Sequence, residues 1–233
     1  MAVLGIDTSN YTTSVALFLD DGSYISKRRL LPVKPGERGL RQSDAVFHHT
    51  KAYGELLGEL FSEAPGEKIT AVGASLTPTT EKGSYMPCFL VGESFAKGLS
   101  FANNIPFYGF SHQQGHIAAA LLSANKTELL DERFIAFHVS GGTTQALLVS
   151  GELDARLIAS SLDLKAGQAV DRVGVMLGCQ QCDSRSVVRR KFRGCKACAE
   201  SFFKLFSYNF IRHNSARKNH RQIAVLFLRK STT

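Results

Sequence analysis

A repeated unit of strand, polar turn and strand places the strongest constraint on the fold of this chain. Short apolar runs at residues 3–6 and 14–18 flank a hydroxyl-rich link, and runs at 134–139 and 145–149 flank a link that contains two glycines. Short apolar runs bounded by turn residues are typical of buried strands. The repetition predicts a fold of two similar halves, each of which opens with a strand hairpin.

Between the two hairpins, the sequence alternates between strand and helix patterns. In chain order the pattern predicts a strand over 24–30, a helix over 43–62, a strand over 69–75, a helix over 90–99, a strand over 107–110 and a helix from about Ser111. Such alternation is typical of an α/β fold. A further helix is predicted over 166–177, with Gly178 as its C-terminal cap.

Charge and cysteine content change abruptly after Gly178. The residues before Cys179 include 15 basic and 18 acidic side chains, a net charge of −3, whereas the remainder has 13 basic and two acidic, a net charge of +11. Four of the five cysteines also lie in this second part. We therefore predict a folded domain over residues 1–178 and a basic tail over residues 179–233.

The composition also bears on location. A hydrophobic content of 44% is enough for a substantial core. No apolar run reaches the roughly 18 residues that a membrane span requires, and the N-terminus lacks the basic and apolar regions of a secretion signal. We expect no membrane partner and a cytoplasmic location.

Two polar turns carry candidate binding residues. The glycine pair 141–142 lies between strands, where backbone N–H groups can approach a phosphate and the hydroxyls of Ser140, Thr143 and Thr144 can add donors. The first turn places Asp7 and Ser9 directly after a strand, as an acid that positions a metal ion or a water beside a phosphate would be. Taken singly, either turn is also explained as a simple hairpin.

His112 and His116 are four residues apart at the start of a predicted helix. This spacing puts both imidazoles on one face, one turn apart, where they could share a metal ion. The alternative is a surface pair without function, because the segment lacks the glutamate of the zinc-protease helix motif and a third ligand would have to come from elsewhere.

Considered together, these motifs resemble those of the tRNA threonylcarbamoyladenosine transferases, a family also called O-sialoglycoprotein endopeptidases or glycoproteases. The resemblance lies in their order and spacing over residues 1–178. The segments are Gly5-Ile6-Asp7-Thr8-Ser9, His112-x-x-x-His116, Val139-Ser140-Gly141-Gly142-Thr143 and Ala166-Gly167-Gln168-Ala169-Val170-Asp171-Arg172.

The resemblance implies an actin-like ATPase fold of the ribonuclease H-like type, with a mixed sheet, helices on both faces and a second lobe that is incomplete here. It implies that His112 and His116 bind one divalent metal ion, iron or zinc, while the catalytic residues stay unassigned. Threonylcarbamoyl-adenylate would be bound by the glycine turn, by the ribose contact Asp171, and by Asp7 and Ser9. The residues of that turn are Val139, Ser140, Gly141, Gly142 and Thr143.

The implied reaction transfers the threonylcarbamoyl group to N6 of the adenosine beside a tRNA anticodon. The implied partners are tRNA, a paralogous actin-like subunit and a small ATPase. One alternative is a non-catalytic actin-like partner subunit of the same complex, which would not need the two histidines. A sugar or acetate kinase would need a second-lobe site that the sequence does not show, and a peptidase would need a nucleophile with an adjacent base.

Three positions depart from the pattern of the family. The family usually has an acid at Gln168, a histidine at Thr143, and Cys-Asp-Glu after the opening motif, where this chain has Asn10-Tyr11-Thr12. These differences indicate a divergent branch of the family.

The tail allows two interpretations. Cys179, Cys182, Cys195 and Cys198 form two Cys-x-x-Cys pairs, which could bind zinc through four thiolates. Basic residues with interspersed aromatics could also bind RNA. Because the resemblance and the charge balance both change at Gly178, we interpret the tail as a disordered or out-of-frame segment and the enzyme as truncated and impaired.

Overall fold

The computed structural model describes residues 1–9, 11–33, 40–139, 143–166, 168, 169 and 172, together with the backbone of residues 224–228. The chain divides into two compact units, Met1–Asn125 and Lys126–Thr233.

The first unit contains five strands and three helices in its described residues. In chain order they are β1 Ala2–Asp7, β2 Thr12–Leu19, β3 Tyr24–Leu30, α1 Gln42–Glu63, β4 Ile69–Thr77, α2 Phe89–Asn103, β5 Phe107–Ser111 and α3 His112–Ser123. The strands form one mixed sheet in the order β3-β2-β1-β4-β5. β1 is antiparallel to β2 and parallel to β4, and β4 is parallel to β5.

The core of this unit lies between the sheet and helices α1 and α2. Alternate residues of β1, such as Leu4, are buried in the same cluster as Leu56 of α1 and Ala96 of α2, whereas Val3 is exposed. This alternation follows from the two-residue repeat of a strand. Complete burial of a leucine side chain such as that of Leu4 contributes about 1.5–3 kcal/mol, so both helices are held firmly against one face of the sheet.

The second unit repeats the strand order of the first. Its strands are β6 Phe134–Val139, β7 Thr144–Ser150, β8 Asp154–Ser160 and β9 Ala224–Leu228, and they form a sheet in the order β8-β7-β6-β9. β6 is antiparallel to β7 and parallel to β9, as β1 is to β2 and β4. Short 3₁₀ turns occur at Thr127–Asp131 and Gly151–Leu153.

The structure confirms the predicted α/β class, the mixed sheet and the hairpin that opens each half. β1 runs one residue further at each end than predicted, because ladder pairing continues through Ala2 and the polar Asp7. β8 was not predicted from the sequence, since Asp154 and Arg156 interrupt its apolar pattern.

The predicted helix over 166–177 lies mostly outside the described residues, as do its cap Gly178 and most of the tail. β9 falls within the tail, at the one stretch where the sequence regains an apolar run. The division of the chain at Gly178 stays a prediction. Among the helices in the described ranges, none is both long enough and apolar enough to cross a membrane.

Candidate functional site

The carboxyl ends of three parallel strands meet at one edge of the first sheet. β1 ends at Asp7, β4 contributes Ser75 near its end, and β5 ends at Ser111, directly before His112. Because β1, β4 and β5 run in the same direction, residues far apart in the sequence lie together at this edge. Loops at the carboxyl ends of strands are the usual place for ligand sites in open α/β sheets.

The carboxylate of Asp7 is the centre of this edge. Its Oδ1 accepts a hydrogen bond from the main-chain N–H of Ser9 at 2.8 Å, and its Oδ2 accepts one from the hydroxyl of Ser75 at 2.7 Å. The Nδ1 atom of His112 lies 2.7 Å from the same Oδ2. Asp7 thus joins the ends of all three strands.

These contacts decide the charge of Asp7. Burial alone would raise the pKa of this carboxyl, but the hydrogen bond and charge of His112 oppose it, as do the hydrogen bonds from Ser75 and Ser9. The net result is a pKa well below the usual range for aspartate. Asp7 is therefore ionised at neutral pH, and both of its oxygens act only as acceptors.

His112 is the first residue of α3, and a capping box fixes the start of this helix. The Ser111 hydroxyl accepts a hydrogen bond from the N–H of Gln114 at 3.1 Å, and the Gln114 side chain accepts one from the N–H of Ser111 at 2.7 Å. The N–H of Gln113 donates to the carbonyl of Pro78 at 3.1 Å. The helix start predicted near Ser111 is confirmed, and the histidine is held in place through its backbone.

The two histidines of α3 lie side by side, as their spacing predicted. The ring centroids of His112 and His116 are 4.2 Å apart. The side chains of Asp7 and His112 are 24% and 21% exposed, so a ligand can still reach them. Because an ionised Asp7 can only accept, the Nδ1 atom of His112 must carry its proton, which in the neutral ring leaves a lone pair on Nε2 for a metal ion.

His112 and His116 could supply two nitrogen ligands to a metal ion. An imidazole whose other nitrogen donates to a carboxylate is the usual arrangement of a metal-binding histidine. Within the described ranges, no group of three or more histidine, cysteine, aspartate or glutamate side chains could hold a metal ion. A metal ion bound by the histidine pair would therefore need at least one further ligand other than those described side chains.

Thr8 and Gly92 determine how closely α2 approaches the end of β1. The buried Thr8 hydroxyl donates to the carbonyl of Cys88 at 2.9 Å and accepts a hydrogen bond from the N–H of Gly92 at 3.2 Å. A Cβ atom at Gly92 would lie 3.0 Å from Thr8 Oγ1 and 3.2 Å from Ile6 Cγ2. A glycine at this point of α2 therefore lets the helix pack directly against Ile6 and Thr8, on either side of Asp7 in the sequence.

The turn of the second half is described only at its ends. Val139 is buried at the end of β6 and Thr143 is half-buried before β7, whereas Ser140, Gly141 and Gly142 lie outside the described residues. The hydroxyl of the buried Thr144 donates to the carbonyl of Thr143 at 2.9 Å and accepts from the N–H of Ala166 at 2.8 Å. The Thr144 hydroxyl thus links this turn to the segment at Ala166, and its predicted contact with a phosphate stays a prediction.

The remaining predicted site residues have different outcomes. The N–H of Ser9 donates to Asp7 and its carbonyl accepts from the N–H of Thr12 at 3.0 Å, so the backbone of this residue supports the turn. Its contact with a nucleotide stays a prediction. Asp171 and the tail cysteines Cys179, Cys182, Cys195 and Cys198 lie outside the described residues.

Sequence reasoning missed two contributors to this site. Ser75 and Thr8 were not assigned roles, and the bond between Asp7 and His112 was not foreseen. The position of Ser75 in a parallel strand next to β1 is the only signal that could have found it, and this signal requires the strand order.

Comparison with known proteins gives the family of this chain. The model of the TsaD family, tRNA N6-adenosine threonylcarbamoyltransferase, matches residues 34–223. The chain belongs to this family. The TsaD match continues beyond Gly178, where the resemblance in motifs ends.

Curated relatives of the same name agree. The chain is 35% identical over 181 residues to the tRNA N6-adenosine threonylcarbamoyltransferase of Thermotoga neapolitana, covering 76% of this chain and 53% of that protein. The enzyme of Desulfotalea psychrophila is 34% identical over 182 residues, covering 76% and 51%. The chain thus spans about half the length of the curated TsaD relatives it matches.

Solved structures similar to this TsaD family member are more distant. YeaZ from Pseudomonas aeruginosa is 18% identical with a TM-score of 0.41, covering 70% of this chain and 66% of that one. The ethanolamine utilization protein EutJ from Carboxydothermus hydrogenoformans is 11% identical with a TM-score of 0.48, covering 96% and 76%.

Proposed function

We propose that this chain acts in the biosynthesis of threonylcarbamoyladenosine in tRNA, as an N6-threonylcarbamoyl transferase. The observation that carries the proposal is the paired His112 and His116 beside an ionised Asp7, in a chain that belongs to the TsaD family. A partner subunit that worked only by binding would have no need of two such histidines.

The proposed reaction is an acyl transfer. The N6 amine of adenosine attacks the carbamoyl carbon of threonylcarbamoyl-adenylate and forms a C–N bond. The bond from this carbon to the phosphate oxygen breaks, AMP leaves, and the amine loses one proton. The protein must hold the adenylate, exclude competing water and receive that proton.

In this proposal His112 and His116 bind one divalent ion, iron or zinc. Such an ion supplies a Lewis acid that polarises an acyl or phosphoryl oxygen. The turn after Val139 would bind the phosphate or carbamoyl end of the substrate, and Asp171 would contact its ribose. The support for these roles is the order and spacing of the motifs in a TsaD family member.

The proposed partners are tRNA, a paralogous actin-like subunit and a small ATPase of the same modification complex, in the cytoplasm. The support for these partners is membership of the TsaD family.

The test is to incubate the purified 233-residue chain with unmodified tRNA and threonylcarbamoyl-adenylate. Threonylcarbamoyladenosine is then measured by mass spectrometry of the digested tRNA. We expect slow product formation by the wild type, as for an impaired enzyme. In His112→Ala and His116→Ala we expect a further loss of about 100-fold or more, about 3 kcal/mol of barrier or more. His48→Ala, which removes a half-buried histidine from α1, is the matched control.

Two outcomes would contradict the proposal. The first is a wild-type chain that forms no more product than a reaction without protein. The second is a His112→Ala chain that is as active as His48→Ala, which would remove the histidine pair from the mechanism. Circular dichroism of each variant excludes misfolding as the cause of a loss.

A further inference from the structure

The bond between Asp7 and His112 gives the first turn a role that differs from nucleotide contact. The sequence pointed to Asp7 as an acid beside a phosphate, but its carboxylate already accepts hydrogen bonds from Ser9 and Ser75 and lies 2.7 Å from His112 Nδ1. A carboxylate used in this way faces an imidazole, and its negative charge would repel a phosphate rather than bind it.

We infer that Asp7 is a positioning residue that holds His112 in the Nδ1–H tautomer, with Nε2 directed to the metal ion. This inference refines the proposed function. It rests on that function only for the role of the bound ion in the transfer reaction. Ser9 and Ser75 fix the carboxylate from two other directions, so the ring is oriented before any metal binds.

The geometry supports a positioning role for Asp7. A free histidine side chain can rotate about two bonds and exchange its proton between two nitrogens, and both freedoms are lost when a ligand binds. The contact at Oδ2, the capping box at Ser111 and the nearby Phe89 ring, whose centroid is 6.2 Å from that of His112, restrict them in advance. Carboxylate partners of this kind typically contribute 10–100-fold to metal affinity.

The first measurement is the tautomer of His112 in the metal-free chain. Long-range ¹H–¹⁵N correlation spectra distinguish the two nitrogens, and comparison with His112→Gln assigns the signals. At about pH 9, well above the ordinary histidine pKa of about 6.5, we expect the proton on Nδ1 in the wild type. In Asp7→Ala we expect it on Nε2, the form that free histidine prefers in water.

The second measurement is the affinity for Co²⁺, followed by its visible absorption. Titration of the double variant His112→Ala, His116→Ala is subtracted, which removes any Co²⁺ bound by the tail cysteines. We expect Asp7→Ala to weaken binding by about 10–100-fold and to leave the shape of the spectrum at saturation unchanged. A ligand lost from the metal would change that shape.

Two further variants keep the test independent of folding. Asp7→Asn preserves the side-chain volume, but its neutral oxygen holds the Nδ1 proton less strongly, so we expect a mixture of tautomers and an intermediate affinity. Asp21→Ala is the matched control, because the carboxylate of Asp21 accepts a hydrogen bond from the N–H of Ser23 at 2.8 Å, just as Asp7 does from Ser9, but lies in a different turn.

The outcomes separate this inference from the proposed function. A wild-type ring with its proton on Nε2 would overturn the inference whatever the activity. Unchanged tautomer and Co²⁺ affinity in Asp7→Ala, with transfer lost, would overturn it too, would assign Asp7 to the substrate and would leave the transferase proposal standing. In the third outcome, Asp7→Ala shows the tautomer shift and weaker Co²⁺ binding, but the wild-type chain forms no threonylcarbamoyladenosine. This result would support the inference and refute the transferase proposal.

Discussion

The two halves of the chain share one strand order but differ at the end of their first strand. β1 ends in an acid, and polar side chains buried around it include Thr8, Thr13, His49 and Ser75. β6 ends in the apolar Val139, and Thr144 is the only buried polar residue found in the described part of the second half.

This difference shows that a shared backbone arrangement does not dictate the chemistry at its turns. The first turn is stabilised by side chains from other strands and helices, so its geometry is set by tertiary contacts. In the second half, the hydroxyl of Thr144 bonds the Thr143 carbonyl beside it and the N–H of Ala166, 22 residues further along the chain.

The largest expected effect on stability concerns His49 of α1, which contacts Thr13 of β2. This histidine is completely buried, its Nδ1 is 2.8 Å from the Thr13 hydroxyl, and its Nε2 has no hydrogen-bond partner among the described residues. Burial, opposed by the charge of Asp7, lowers the pKa of His49 from its ordinary value of 6.5 to about 4. Between about pH 4 and pH 6.5, His49 therefore binds a proton in the unfolded chain but not in the folded one.

The free energy of unfolding should accordingly fall as the pH drops from about 6.5 towards 4, by about 3 kcal/mol in all. Urea unfolding of the wild type and His49→Gln at several pH values tests this. The variant, whose side chain does not titrate, should lack the decrease. If the free energy of unfolding fell equally with pH in the wild type and in His49→Gln, His49 would have to be protonated in the folded state.

The next effect compares the two buried threonines. Thr8→Val removes the donor to the Cys88 carbonyl and an acceptor of the Gly92 N–H, and Thr144→Val removes an acceptor of the Ala166 N–H. Each should lower the free energy of unfolding by about 1–3 kcal/mol. We expect the larger loss for Thr8, because both of its partners belong to a distant part of the chain.

Thermal unfolding of these variants gives the comparison, with Thr8→Ser and Thr144→Ser as controls that keep the hydroxyl. A greater loss for Thr144→Val would mean that the second turn, rather than the first, depends more on tertiary contacts.

A smaller effect is expected at Gly92, where α2 approaches β1. Gly92→Ala places a methyl group against Thr8 and Ile6 and should cost about 1–2 kcal/mol through overpacking. Gly98→Ala in the same helix meets nothing within 4 Å and should stabilise the protein by about 0.5–1 kcal/mol. Chemical denaturation measures both, and a stabilising Gly92→Ala would show that the turn can move away from α2.

The smallest effect is expected on the surface of the first half. Arg29 of β3 forms ion pairs with Glu55 and Glu59 of α1, in contact with solvent. Exposed pairs of this kind contribute little. Arg29→Met should therefore leave the melting temperature nearly unchanged, and a large decrease in low salt that disappears in high salt would contradict this.

Much of the fold could be predicted from the sequence, because its apolar patterns are regular. The apolar spacing of residues 43–62 predicted α1, which the structure places at Gln42–Glu63, within one residue at each end. β8 was missed because an edge strand exposed to solvent carries charged residues that hide its alternation.

The candidate site was predicted only where its residues are close in sequence. The spacing of His112 and His116 gave their shared face directly, since the helix repeat is fixed. The bond from His112 to Asp7 joins residues 105 positions apart, and no local pattern reveals which strand lies beside which. The glycine turn was found as a motif, but its contacts with a ligand depend on groups that the motif does not contain.

The direct junction of β5 and α3 has a consequence for how this chain can vary. Ser111 ends the strand and His112 begins the helix, with no connecting residue between them. Each residue added to a helix turns everything before or after it by about 100°. A single insertion between Ser111 and His112 would swing the imidazole away from Asp7, so this point should tolerate substitutions far better than changes of length.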